Sequence, residues 1–106
     1  MSHDPDMDCA RRQVEITNVL GLHFRPAQKF VKLASQFQSE IRVQYNGKES
    51  NGKSFLDLTM LAAERGTRLI LEARGPDAEA AVDALAELVL SQFGEGDEGQ
   101  DKEGTP

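Results

Sequence analysis

The chain has 106 residues, of which 39% are hydrophobic, so we expect one domain with a modest core and little room for a second. Its 12 basic and 18 acidic residues give a formal net charge of −6, which argues against non-specific nucleic-acid binding because that needs a basic surface. The single cysteine excludes an internal disulfide and a multi-cysteine zinc site, and the absence of a long apolar run and of a secretory signal predicts a soluble, cytoplasmic protein without membrane insertion.

The two ends of the chain differ in composition from its middle. Residues 1–11 show no periodicity and are predicted to form a flexible extension. Residues 94–106 carry five acids and one lysine, a net charge of −4, and no large apolar side chain. Such a segment cannot bury enough apolar surface to offset the entropy lost on ordering. We therefore predict a disordered acidic tail and a domain that spans residues 12–93.

Four segments are predicted to be strands. Residues 12–17, 40–45 and 67–73 alternate apolar and polar side chains, which is typical of half-buried strands. Asn46-Gly47 predicts a hairpin turn, because both residues tolerate positive φ, and the polar return strand, residues 48–51, suits a sheet edge. The predicted inward residues are Val14 and Ile16, then Ile41, Val43 and Tyr45, then Leu69, Leu71 and Ala73.

Three segments have the periodicity of helices, at residues 25–38, 54–64 and 77–92. Pro26 suits the first turn of the first helix, where a missing N–H does no harm. The predicted order, β-α-β-β-α-β-α, favours a two-layer α+β domain, in which three helices cover one face of a four-stranded, mostly antiparallel sheet.

The sequence also predicts which residues cap the helices and which side chains of the second helix face inward. Ser54 with Asp57 three residues later predicts a capping pair, and Asp77 is expected to cap the third helix. The second helix has apolar residues on more than one face. We expect Phe55, Met60 and Leu61 to face inward and Leu56 to be exposed, although Phe55 and Leu56 could exchange these roles.

The segment from Asn18 to Pro26 carries the strongest chemical signal. It leaves the first strand, turns at Gly21 and enters a helix, which places His23 near the N-cap. The unpaired N–H groups of Phe24 and Arg25 and the helix dipole favour an anion there. The guanidinium of Arg25 is also well suited to bind phosphate oxygens. An imidazole in this position could accept a phosphoryl group, since the helix end disfavours the protonated ring. The alternative is that the histidine only caps the helix.

Charge is segregated between two helices. Arg25, Lys29 and Lys32 recur at helical spacing opposite the apolar stripe, and residues 25–38 contain no acid. The last helix has four acids and no base. A charged stripe is commonly just a solvated face, but this segregation favours docking to acidic partners.

Two other patterns match known motifs without their structural context. Residues 47–54 fit G-x-x-x-x-G-K-S, but a phosphate-binding loop follows a buried parallel strand, whereas Gly47 here ends a hairpin turn. Residues 4–15 place acids at calcium-loop positions, but Cys9 stands where that loop needs glycine. We therefore expect no nucleotide hydrolysis, no metal site and no cofactor.

The histidine segment resembles a known family signature. His23 followed by Arg25-Pro26, after Gly21-Leu22, is similar to the active-site signature of HPr, the histidine-containing phosphocarrier of the bacterial phosphotransferase system. The resemblance runs from about Val14 to Phe93 and includes residues 51–56, which are similar to the family's regulatory serine and the apolar patch after it. It implies the family's open-faced β-sandwich.

The resemblance also implies a role for each matching residue. His23 would accept a phosphoryl group from enzyme I, through Nδ1 in this family, and pass it to enzyme IIA domains of sugar permeases, while Arg25 would steady the phosphate. Ser54 would match the serine that a kinase/phosphorylase modifies in many bacteria. The chain would then be a monomeric phosphohistidine carrier without stand-alone catalysis. Docking is expected at Phe24, Lys29, Lys32, Lys53, Phe55 and Leu56.

The sequence departs from the family pattern in three places: Phe24, where alanine is usual, Asp57, where a small residue is usual, and the acidic tail. Two alternatives to the sugar-transport role follow. One is a regulatory paralogue on the same fold, which would be loaded at His23 and signal to nitrogen or carbon control. The other is a protein-interaction domain that is not phosphorylated.

Overall fold

The computed structural model describes residues 8–18, 21–61 and 63–94. Along the chain lie β1 (Cys9–Glu15), α1 (Phe24–Ala34), β2 (Glu40–Tyr45), β3 (Lys48–Asn51), α2 (Phe55–Leu61), β4 (Arg68–Arg74) and α3 (Ala78–Leu90), followed by a 3-10 turn, Gln92–Gly94. The strands form one sheet in the order β1-β4-β2-β3, and each neighbouring pair is antiparallel. The predicted two-layer α+β fold is confirmed.

The sheet has one apolar face, and the helices pack on it. The predicted inward residues of β1, β2 and β4 are buried, except that Tyr45 is only partly covered. On the helix side, Phe30 of α1 and Leu85 of α3 are at most 1% exposed. The polar strand β3 lies at an edge of the sheet, as its composition predicts. None of the helices within the described ranges has the length and apolar character needed to cross a membrane.

Several element boundaries differ from the predicted ones. β1 begins at Cys9, which pairs with Arg74, so residues 9–11 belong to the sheet and not to a flexible extension. α1 ends at Ala34, four residues before its predicted end, and the chain leaves it through tight turns in which Gln36 and Phe37 donate to carbonyls three residues back. Residues 1–7 and 95–106, where the rest of the predicted extension and nearly all of the predicted tail fall, lie outside the described residues.

Asp77 stands at the N-cap of α3, but its carboxylate does not cap that helix. It accepts instead from Ser39 Oγ at 2.5 Å and from the backbone N–H groups of Ser39 and Gln38 at 2.9 and 2.8 Å. The pKa of Asp77 is lowered, chiefly by the Ser39 hydroxyl and further by these N–H groups. The side chain therefore joins the start of α3 to the loop before β2.

The faces of α2 correct one sequence prediction. Leu58 and Leu61 are buried at 0% and 4% exposure, whereas Met60 is 70% exposed. The expectation that Met60 faces inward is therefore wrong, because the residues three apart at 58 and 61 form the inward face. Leu56, at 65% exposure, faces outward as predicted, and Phe55 is partly buried.

Candidate functional site

The turn at Gly21 fixes the path of the chain into α1. Gly21 has φ +70°, and a Cβ atom on it would lie 2.5 Å from the carbonyl oxygen of Ala63. The next residue, Leu22, donates its N–H to that same carbonyl at 2.8 Å. A residue with a side chain fits neither the left-handed conformation nor the space. The segment before His23 is therefore held tightly against the chain that follows α2.

Asn18 supports this turn from the inside. Its side chain is 1% exposed, and Nδ2 donates to the Gly21 carbonyl at 2.7 Å. That carbonyl also accepts the N–H of His23 at 3.0 Å. Asn18 was not assigned a role from the sequence, although an Asn just before a glycine turn is a usual signal of side-chain bonding to the turn backbone.

His23 is the N-cap residue of α1, as predicted. It has an extended backbone (φ −92°, ψ −161°), and its carbonyl accepts the N–H of Ala27 at 3.0 Å. The residue is half-buried, and its Nε2 atom is buried. Because Pro26 has no N–H, the first-turn donors beside the histidine are the backbone groups of Phe24 and Arg25. No acidic residue lies in this first turn, so its positive end is not neutralised from within the helix.

Basic side chains continue this positive region along α1. Arg25 and Lys32 are exposed, and they line a shallow groove of about 510 Å³ together with Gln28, Lys29, Val31 and Phe55. We call this the basic groove.

Two of the predicted docking lysines are held by backbone carbonyls. Lys29 Nζ donates to the carbonyl of Phe93 at 2.7 Å, and Lys53 Nζ donates to the carbonyl of Phe37 at 2.7 Å. A carbonyl carries no net charge, so neither contact is an ion pair. The two ammonium groups contribute to the positive potential, but their positions are fixed by contacts within the fold.

The histidine and serine segments meet through two aromatic rings. Phe24 follows His23 and Phe55 follows Ser54, and the two rings pack edge to face with centroids 5.2 Å apart at 86°. Phe24 remains 60% exposed. With the exposed Leu56 and Met60 of α2, these rings form what we call the apolar patch.

Ser54 precedes α2 and is half-buried. Its Oγ accepts the N–H of Asp57 at 3.2 Å, which is half of the predicted capping pair. The Asp57 carboxylate does not return this bond to Ser54 and instead accepts the N–H of Asn51 at 3.4 Å. Asp57 thus braces the end of β3 and places a negative charge beside the serine.

Comparisons with known proteins agree with this geometry. A family profile described as "PTS HPr component phosphorylation site" matches residues 10–91. The phosphocarrier protein HPr of Neisseria meningitidis serogroup B is 47% identical over 87 residues, which are 82% of this chain and 98% of that protein. The phosphocarrier protein NPr of Shewanella violacea is 44% identical over 84 residues, or 79% and 92% of the two chains. The crystal structure of HPr-C-His from Thermoanaerobacter tengcongensis superposes with a TM-score of 0.79 at 42% identity, covering 81% of this chain and 97% of that one.

Proposed function

The chain belongs to the HPr family of phosphocarrier proteins of the phosphotransferase system, and from this premise we propose that His23 is the residue that carries the phosphoryl group. The observation that supports this assignment is the position of its imidazole at the N-cap of α1. There the first-turn N–H groups of Phe24 and Arg25 would donate to a phosphoryl dianion, and the exposed Arg25 side chain, two residues along the chain, would add a cation.

The burial of Nε2 favours Nδ1 as the accepting nitrogen. In the transfer, the ring nitrogen attacks phosphorus, a P–N bond forms, and the bond from phosphorus to the donor breaks. The attack uses the lone pair of the accepting ring nitrogen. The first-turn N–H groups and Arg25 then stabilise the charge on the phosphoryl oxygens.

As an HPr-family member the chain works with enzymes of the phosphotransferase system. We propose that enzyme I loads His23 and that enzyme IIA domains of sugar permeases unload it, in the cytoplasm. The apolar patch offers exposed hydrophobic area for docking, and Arg25 and Lys32 offer exposed cations at its edge. Lys29 and Lys53 would act through their charge, since their ammonium groups are already bonded within the fold.

The test is incubation with enzyme I and phosphoenolpyruvate, followed by measurement of acid-labile phosphate on the protein. The chain has 2 histidines, so His3→Ala is a matched control for His23→Ala. We expect His3→Ala to be labelled like the unchanged protein and His23→Ala to be unlabelled. Labelling of His23→Ala at the unchanged rate would overturn the assignment. Nitrogen chemical shifts of the phosphorylated ring then distinguish Nδ1 from Nε2.

We propose further that phosphorylation of Ser54 by a serine kinase regulates docking. The serine lies beside Phe55 of the apolar patch, so a phosphate of up to two negative charges would oppose an acidic partner. Ser54→Asp should keep the bond to the Asp57 N–H, since aspartate also accepts there, and should slow transfer most at low salt. Gln13→Glu, on the exposed sheet face, adds the same unit charge far from the patch and is the control. Equal rates for both variants would mean that Ser54 acts only as a helix cap and does not regulate docking.

A regulatory paralogue is the second candidate, because relatives named HPr and NPr match at similar identity, 47% and 44%. Both candidates require loading at His23. They separate at the unloading step: the sugar-transport role predicts rapid transfer from phosphorylated protein to an enzyme IIA domain of a sugar permease, and the regulatory role predicts none.

A further inference from the structure

Within the part of the chain that the structure describes, no carboxylate forms an ion pair with the basic side chains of α1. Among the described residues, the ion pairs join strand residues to one another or to α3, as in Arg12–Asp83, Arg42–Glu49 and Arg74–Glu72. None of these pairs reaches the basic groove. The groove therefore presents net positive charge toward solvent, although the whole chain has a formal charge of −6.

The C-terminal end of the described chain lies at this groove. Lys29, which lines it, donates to the carbonyl of Phe93 at 2.7 Å. A Cβ atom built on the following residue, Gly94, would lie 3.6 Å from Lys29 Nζ. The described chain therefore ends directly beside the Lys29 ammonium group.

We propose that residues 95–106 bind the basic groove within the same molecule and compete there with acidic partner surfaces. These residues have five acids and one lysine, so their net charge of −4 complements the groove. The family match ends at residue 91, so the segment is additional to the shared fold. The competition rests on the proposed docking function, whereas the intramolecular contact stands without it.

The geometry allows this contact without any rearrangement of the domain. Arg25 and Lys32 are separated by about 10 Å along the helix, and any chain of 12 residues that behaves as a random coil has a root-mean-square span of about 17–21 Å. A tether this short gives an effective concentration in the millimolar range, so ion pairs that are individually weak are populated. The contact is electrostatic and exposed, so it weakens as salt shortens the screening length to about 8 Å. It adds little to the stability of the fold.

The first test detects the contact between residues 95–106 and the basic groove by NMR of the full chain. Asp97→Asn/Glu98→Gln removes two charges from the tail, and Glu79→Gln/Glu87→Gln removes two exposed charges from α3 as a matched control. We expect the tail variant, and not the control, to shift the backbone N–H signals of α1 in the groove at low salt. The shift should vanish at high salt. Signals that coincide with the unchanged protein at low salt would overturn the proposal.

The second test measures whether residues 95–106 compete with a partner for the groove, through the rate of phosphoryl transfer from enzyme I. At low salt the tail variant should be labelled roughly two- to tenfold faster than the unchanged protein, and the α3 control should gain less. Equal gains in both variants would mean that net charge acts without groove binding, which refutes the proposal. If no variant is labelled, the proposed function fails, and the NMR experiment still decides whether the tail occupies the groove.

Discussion

Replacement of Gly21 by alanine tests whether the turn before His23 is fixed by backbone geometry. The left-handed conformation, φ +70°, costs a non-glycine residue about 1–2 kcal/mol. The new Cβ would also lie 2.5 Å from the Ala63 oxygen and 2.9 Å from the Glu64 Cα. Both are backbone atoms that cannot rotate away, so the loop or the segment after α2 must shift. Such a shift strains the Leu22 N–H bond to Ala63, and its loss adds about 1–2 kcal/mol.

Gly47→Ala is a matched control for this substitution. Gly47 also has positive φ, +81°, but a Cβ atom there meets nothing within 4 Å. Gly47→Ala should lower the free energy of unfolding only by the cost of the left-handed conformation, about 1–2 kcal/mol. Gly21→Ala should lower it by about 3 kcal/mol, because the close contact adds to that cost. Urea unfolding measures both.

Phosphoryl transfer gives a second readout of the same comparison. Gly21→Ala should slow labelling by enzyme I, because a shift of the turn misplaces His23, and Gly47→Ala should leave the rate unchanged. If the two variants lose equal stability and transfer at the same rate, the turn relaxes freely. The argument from close contact would then be wrong.

Five further substitutions test the charges and the packing. Arg25→Ala should slow loading about ten- to a hundredfold, and Lys32→Ala, farther from the histidine, should slow it less; a rapid-quench transfer assay measures both. Asp77→Asn should cost about 1–2 kcal/mol at pH 7. Because the folded-state pKa of Asp77 is lowered from 3.8, its contribution is complete above that pH and lost below it, so unfolding curves of variant and unchanged protein should converge as pH falls. Leu58→Ala should cost about 2–4 kcal/mol and Leu56→Ala under about 0.5 kcal/mol in urea unfolding, since the first is buried and the second exposed.

The fold was predictable because local signals and long-range packing agree. The alternating residues of β1, β2 and β4 are the buried ones, and the polar β3 lies at the sheet edge. The site followed from the same kind of signal, since Gly21 and Pro26 mark a turn and a helix start on either side of His23. Periodicity failed at α2, where a short helix has apolar residues on several faces. There the contacts of the whole fold selected Leu58 over Met60.

Side-chain partners that are distant in sequence were not predictable. Asp77 has the residue type and position of a helix cap, but the loop before β2 brings three donors to its carboxylate. Lys29 has the spacing of a solvated basic face, and Lys53 was expected to dock partners. Carbonyls 64 and 16 residues away nevertheless hold their ammonium groups. Sequence patterns report which face a residue occupies and carry no information on which carbonyl comes within reach of it.

Phe24 and Asp57, which depart from the family pattern, lie in the histidine segment and next to the serine segment. Phe24 does not clash with the fold, because its ring packs edge to face on Phe55 and enlarges the apolar patch. Asp57 braces the end of β3 and adds a negative charge beside Ser54. Phe24 joins the histidine segment to the serine segment. Asp57 makes the surroundings of Ser54 more negative even when the serine is not phosphorylated. A change at Ser54 would thus reach the docking surface through the Phe55–Phe24 contact as well as through charge. This predicts an effect on partner binding that high salt reduces without abolishing, because ring packing is not screened.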